Sequence, residues 1–260
     1  MTQVLEVRIF PTPAELFAAA AQQFAKLAND AIGAKGSFTV ALSGGSTPKG
    51  MHSLLASEFV SAIAWDRVFF FWGDERHVPP DHADSNYRMA YETLLSRVPA
   101  DPGKIFRVPA ENPDANAAAT EYEQTLSTAF RLEGPQAPRF DLILLGLGPD
   151  GHTASLFPHT TALRENSRLV VANRVEKLDT DRITLTLPVL NNAANIVFLV
   201  AGKDKAPAVE SVFNSDSDAS EFPAKLVRPR HGQLLWMLTE DAGSAIADRM
   251  VATRLTNNQH

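Results

Sequence analysis

A chain of 260 residues, 45% hydrophobic and 21% charged, has the balance of a globular protein. It is long enough for one large α/β domain or two small ones, and too apolar for disorder. The formal charge of −6 provides no steering toward nucleic acid or an anionic membrane, so a phosphate-bearing ligand would need positive charge gathered locally.

No cysteine occurs, which removes disulfides, thiolate nucleophiles and thiolate zinc sites and suits a reducing compartment. The first ten residues lack a basic region followed by an apolar run, so no secretory signal is expected. No stretch approaches the ~20 consecutive apolar residues of a spanning helix. A cytoplasmic protein is expected, with no membrane and no nucleic-acid partner.

Residues 4–10 are predicted as a strand. Thr12 then caps a helix with Pro13 at its first position, predicted to run to about Ile32 before Gly33. Residues 37–43 form a second predicted strand, followed by a Gly-rich turn and a helix opening at Thr47-Pro48. A third strand is predicted over 68–72, and Asn112-Pro113 opens a helix that ends near Gly134-Pro135. The apolar run 140–145, bounded by Pro138 and Gly146, reads as a buried parallel strand. Further strands are predicted at 169–172, 183–187, 196–201 and 234–238, with helices from about Lys203 and Thr239 and an exposed Asp/Ser-rich loop at 214–220. No repeat or low-complexity linker divides the chain, so residues 1–260 are predicted as a single domain. The alternation implies an α/β fold, with a mainly parallel sheet covered by helices on both faces. Ligands of such sheets bind beyond the carboxyl ends of the strands, so the post-strand loops are where chemistry is expected.

Three such loops stand out. Ser43-Gly44-Gly45-Ser46-Thr47-Pro48 leaves a strand and opens a helix, where unpaired amides and the helix dipole favour an anion. It lacks the closing Gly-Lys-Ser/Thr of a P-loop, and a plain strand-to-helix turn with a capping Thr fits equally well. Gly73-Asp74-Glu75-Arg76-His77 follows the apolar run 69–72. Asp74 and Arg76 would face a ligand, Arg76 binding an anionic oxygen, or the charges form a structural cluster at a sheet edge. Gly146-Leu147-Gly148-Pro149-Asp150-Gly151-His152 matches G-x-G-x-x-G literally. Its internal proline, and the lack of an acidic residue after the next strand, argue against a dinucleotide. Within it, His152 could take a proton from water near neutral pH with the Asp150 carboxylate two residues away, or it could be a buried histidine satisfied by backbone. The other histidines, at 52, 77, 82, 159, 231 and 260, show no zinc-ligand spacing, and no serine sits in a G-x-S-x-G elbow. No metal and no cofactor are expected.

The three loops in this order resemble the 6-phosphogluconolactonase family. The carriers are Ser43 to Pro48, Trp72 to His77 with Ser85-Asn86-Tyr87, Gly146 to His152, Arg182 to Asn191, and Gly202-Lys203-Asp204-Lys205-Ala206. The resemblance implies hydrolysis of 6-phosphoglucono-1,5-lactone, a phosphorylated sugar lactone, to 6-phosphogluconate in the oxidative pentose phosphate route. It also implies a Rossmann-like sheet shared with glucosamine-6-phosphate deaminases. By the same resemblance His152 is the base that deprotonates water, with Arg76 as the candidate for the developing oxyanion. Asp150 and Asp74 would hold sugar hydroxyls or orient base and water. The phosphate would sit on Ser43, Gly44, Gly45, Ser46 and Thr47, with Lys205 and Arg174 completing its pocket, Lys203 as a rival to Lys205, and Asn86 among the substrate contacts. A deaminase is the alternative, but its catalytic glutamate five residues after the histidine is Phe157 here, and its Asp-Glu-Tyr is Asp74-Glu75-Arg76. A non-catalytic sugar-phosphate module is a second alternative. A monomer or weak homo-oligomer is expected.

Overall fold

In the computed structural model, which describes residues 4–246, local chemistry sets most element ends. Strand β1 (Val4–Phe10) leads to Thr12, in extended backbone, whose Oγ1 accepts from Glu15 N at 3.2 Å and starts helix α1 (Pro13–Lys35). The helix passes through Gly33, where its end was expected, and stops where Gly36 takes φ 82 and donates to Ile32 O at 2.8 Å. One glycine in a helix costs only about 1 kcal/mol, so the twenty-odd residues of amphipathic pattern outweigh it. The buried face, Leu16, Ala20, Ala21, Phe24, Ala25 and Ala28, keeps helical spacing.

The chain continues with β2 (Phe38–Leu42), α2 (Ser46–Glu58), β3 (Val68–Trp72), β4 (Asp74–Arg76), α3 (Asn86–Thr93) and α4 (Ala115–Ala129). Then come β5 (Leu142–Leu145), β6 (Val170–Val175), β7 (Thr180–Leu185) and the short α5 (Leu187–Leu190). The last described elements are β8 (Asn195–Val200), α6 (Ala206–Phe213), β9 (Gln233–Thr239) and α7 (Glu240–Gly243). The rest of the helix predicted from Thr239, and His260, lie outside the described residues. Among the described residues no helix is long and apolar enough to cross a membrane.

Six strands form one parallel sheet in the order β1-β9-β8-β5-β2-β3, as the alternating pattern implied. From β2 the chain moves outward to β3, and from β5 it moves the other way to β8, so the order reverses between β2 and β5. A crevice opens at such a switch point beyond the carboxyl ends of the strands. The register pairs Leu42 with Trp72 and Ala41 with Ile143, which delivers Ser43, Gly73 and Gly146 to one edge. The core beneath is aromatic, with Trp65, Trp72, Phe24, Phe38, Phe70, Phe71, Phe140 and Tyr122 fully buried. The Tyr122 hydroxyl accepts from Trp72 N at 2.8 Å and donates to Trp72 O at 3.0 Å, which satisfies the end of edge strand β3.

Two expectations fail here. Residues 74–76, predicted as loop, are strand β4, and the strands predicted at 169–172 and 183–187 are not in the parallel sheet. They are β6 and β7, an antiparallel hairpin that joins β4 in a separate sheet of order β4-β7-β6. The reason is chain length: only residues 176–179 connect β6 to β7, whereas a parallel pair needs a crossover of about a dozen residues.

Candidate active site

The edge where β2, β3 and β5 end opens on a cavity of about 340 Å³. Ser43, Gly44 and Gly45 line one wall. Ser43 is buried and its Oγ has no hydrogen-bond partner among the described residues. Gly44 is required by crowding: a Cβ there would lie 1.8 Å from Asn86 Oδ1. Gly45 precedes α2, and no side chain caps that helix, so its first-turn amides remain available to an anion. Ser46 and Thr47 form that first turn and do not line the cavity.

Asn86 lines the cavity from the start of α3. Its Nδ2 donates to Asp74 O at 2.9 Å, while its buried Oδ1 has no hydrogen-bond partner among the described residues. The anchor of this corner is Glu75, whose buried carboxylate accepts from Asn86 N at 2.7 Å, Tyr87 N at 2.8 Å, Arg76 N at 2.8 Å and Ser85 Oγ at 3.1 Å. A carboxylate at a helix N-terminus is favoured by the amides and the dipole. Burial nevertheless raises its pKa above the ordinary value, opposed by those three amides and assisted by Asp74.

Alternation along β4 turns Asp74 and Arg76 to the opposite face from Glu75, and both line the cavity. Asp74 Oδ2 accepts from Ser155 Oγ at 2.7 Å, and Arg76 Nη1 donates to Asp84 O at 2.6 Å. Directly across the ladder from Arg76 stands Arg182, also in the lining, with a buried Nε that has no hydrogen-bond partner among the described residues. Like charges directly opposed on adjacent strands repel unless an anion lies between them. Burial lowers the Arg182 pKa and the Arg76 charge adds to this, while Asp74, Asp84 and Glu75 oppose.

Arg174, expected from the sequence to complete the phosphate pocket, is turned away from the cavity by the hairpin register. Arg174 pairs with Asp181, one position out of phase with Arg182, and its guanidinium contacts the Asp179 carboxylate away from the cavity. Lys205, just before α6, lines the cavity; its rival Lys203 does not.

The loop after β5 brings His152 to the opposite wall. Its Nδ1 lies 2.5 Å from Asp150 Oδ1, and its ring stacks on Phe157 with centroids 4.1 Å apart. An ionised carboxylate only accepts, so the proton is assigned to Nδ1 and the lone pair to Nε2. Asp150 does not line the cavity and touches the imidazole from behind. Burial pulls the His152 pKa down to about 4, helped by Lys205, Arg182 and Arg76 and opposed by Asp74, so the ring is neutral at neutral pH. The cavity thus joins an anion cradle, three cations and a neutral imidazole. Among the described residues no three His, Asp or Glu side chains converge as metal ligands. His52 lies away from the cavity, buried, with Nδ1 3.2 Å from Thr93 Oγ1.

Known proteins resemble this chain in sequence and fold. The sequence profile of the family described as glucosamine-6-phosphate isomerases/6-phosphogluconolactonase matches residues 11–236. A 6-phosphogluconolactonase of Synechocystis sp. is 44% identical over 213 residues, covering 82% of this chain and 86% of its own. One of Nostoc sp. is 40% identical over 241 residues, covering 93% and 98%. The solved structure of 6-phosphogluconolactonase from Trypanosoma brucei superposes with a TM-score of 0.86 at 29% identity, over 95% of this chain and all of the other. A monomeric glucosamine-6-phosphate deaminase, 21% identical with a TM-score of 0.77 over 92% of this chain and 99% of its own, shares the fold. The chain belongs to the glucosamine-6-phosphate isomerase/6-phosphogluconolactonase family.

Proposed function

We propose that this chain hydrolyses 6-phosphoglucono-1,5-lactone to 6-phosphogluconate, as an ester hydrolase of the oxidative pentose phosphate route. The observation that carries this reading is the convergence on one cavity of Ser43, Gly44, Gly45 and Lys205 with Arg76, Arg182 and His152. The phosphate dianion is placed on the glycine cradle and α2 amides with Lys205 beside it, which answers the net negative charge of the chain with local cations.

A lactone is an activated ester, so water can attack without a covalent intermediate. His152 Nε2 takes a proton from water as the oxygen adds to C1, and Asp150 at Nδ1 steadies the imidazolium that forms. The carbonyl oxygen becomes an oxyanion beside the Arg76–Arg182 pair; losing one such donor typically costs about 3–4 kcal/mol of barrier. Collapse breaks the C1–ring oxygen bond, and the leaving oxygen recovers the proton from His152. Asp74, fixed by Ser155, and Asn86 are assigned to sugar hydroxyls. Where ring-opening deamination needs a carboxylate, Phe157 stacks on the imidazole instead, which favours the lactonase over the deaminase.

The test is acid release from freshly generated lactone at pH 7, corrected for spontaneous opening. Acceleration by the protein is expected, reduced roughly 10²–10⁴-fold in His152→Ala. No acceleration above the spontaneous rate rejects the activity.

A further inference from the structure

Residues 176–179, which join β6 to β7, meet the cavity at Leu178. They form a tight turn, Glu176–Leu178, followed by Asp179 at φ 47, and Arg174 draws them together through Asp179. Leu178 lines the cavity. The Lys177 ammonium makes an ion pair with Asp150 Oδ2, a buried oxygen without a hydrogen-bond partner among the described residues. The same ammonium stands 5.0 Å from the centroid of the Phe157 ring, the ring that stacks on His152. Lys177 therefore touches both groups that flank the imidazole.

An exposed ion pair is worth little on its own, and the Lys177 side chain is 52% exposed. What sets this pair apart is the other end of the carboxylate, since Asp150 Oδ1 holds His152 Nδ1 at 2.5 Å. A carboxylate gripped at one oxygen can swing and release the imidazole, whereas one gripped at both cannot. We propose that Lys177 is a positioning residue for the lactone hydrolysis, holding Asp150 by its outer oxygen so that the inner oxygen keeps His152 aimed into the cavity. The effect on rate rests on the proposed activity; the effect on the imidazole does not.

The groups facing His152 are Asp150 and Asp74 with negative charge and Lys205, Arg182, Arg76 and, through Asp150, Lys177 with positive charge. Removing the Lys177 charge leaves Asp150 less compensated and favours the imidazolium, so His152 should titrate at higher pH. The test uses full-length Lys177→Met, which keeps an apolar stem over Phe157, and Lys177→Arg, which keeps the cation. Turnover of the lactone is followed against pH, and the His152 Cε1–H resonance is titrated by NMR in the ligand-free protein. For Lys177→Met, kcat should fall about tenfold with KM within about twofold. The acid limb and the His152 titration should both move up by about half a pH unit. Lys177→Arg should recover most of both. A Lys177→Met protein with wild-type kcat and an unmoved His152 titration, even with a lowered melting temperature, overturns the proposal. If the wild-type protein does not hydrolyse the lactone, the activity is refuted, and the NMR titration alone decides whether Lys177 acts on His152.

Discussion

Gly148→Ala isolates the placement of the imidazole from its chemistry. A Cβ at this position would lie 2.0 Å from His152 Nδ1, 2.1 Å from its Cε1 and 2.8 Å from Asp150 Oδ1. Ordinary contact begins near 3.4 Å, so the ring must retreat by about 1.4 Å. It is held by Phe157 at 4.1 Å and by Asp150 at 2.5 Å, so retreat breaks the contact that orients it. Misplacement of a catalytic group by about 1 Å costs on the order of 10²-fold in rate, or about 2.7 kcal/mol of barrier. The atoms that must move belong to side chains at a cavity and not to backbone, so the loss to the fold should sit at the low end of overpacking costs, about 1 kcal/mol. The assay is kcat and KM for the lactone beside urea unfolding. The account expects kcat down about 10²-fold, KM within about threefold because the phosphate cradle is untouched, and an almost unchanged unfolding midpoint. Wild-type kcat in a folded Gly148→Ala protein would refute the claim that the rate depends on where this ring is held.

The depressed His152 pKa makes the neutral ring the working form, so kcat/KM should stay flat from pH 8 to about 6 and fall as the pH approaches 4; an acid limb at or above pH 7 would contradict this. His52 is also held down to about 4 by burial, below its unfolded value, so the unfolded chain binds the extra proton between those limits. Stability should therefore be full above about pH 6.5 and fall toward pH 4, by up to roughly 3 kcal/mol from this group, and His52→Gln should reduce the urea midpoint's pH dependence, leaving the part that His152 contributes. Arg182→Gln should lower kcat/KM for the lactone at least tenfold more than Arg174→Gln, since only Arg182 lines the cavity; equal losses would refute the register argument. Gly33→Ala, inside α1 with nothing within 4 Å of the new Cβ, should raise stability by up to about 1 kcal/mol in thermal unfolding.

The legible parts of the fold were those that local chemistry decides. Short apolar runs gave β2, β3 and β5, and the glycines after them marked the cradle and the His152 loop, because a buried parallel strand and a tight turn each restrict residue type. The second sheet was hidden because β4 is Asp74-Glu75-Arg76, which has no apolar signature and becomes a strand only by pairing with residues 182–184, over a hundred positions away. The same dependence on register hid Arg182 and put Arg174 among the expected phosphate contacts. A strand turns successive side chains to opposite faces: Arg182 pairs with Arg76 on one side and Asn173 on the other, so Arg174, one residue further on, faces the opposite way. Lys177 was invisible for a related reason: nothing near it in sequence reports that a hairpin tip lands on Asp150.

The most direct test of the site is a crystal structure of the protein with 6-phosphogluconate bound. The phosphate is expected on the Gly44–Gly45 backbone and Lys205, with one carboxylate oxygen beside His152 Nε2, where the attacking water's oxygen would sit, and the other accepting from Arg76 or Arg182. A carboxylate bound away from His152, or a phosphate on Arg174 rather than on the glycine cradle, would contradict it.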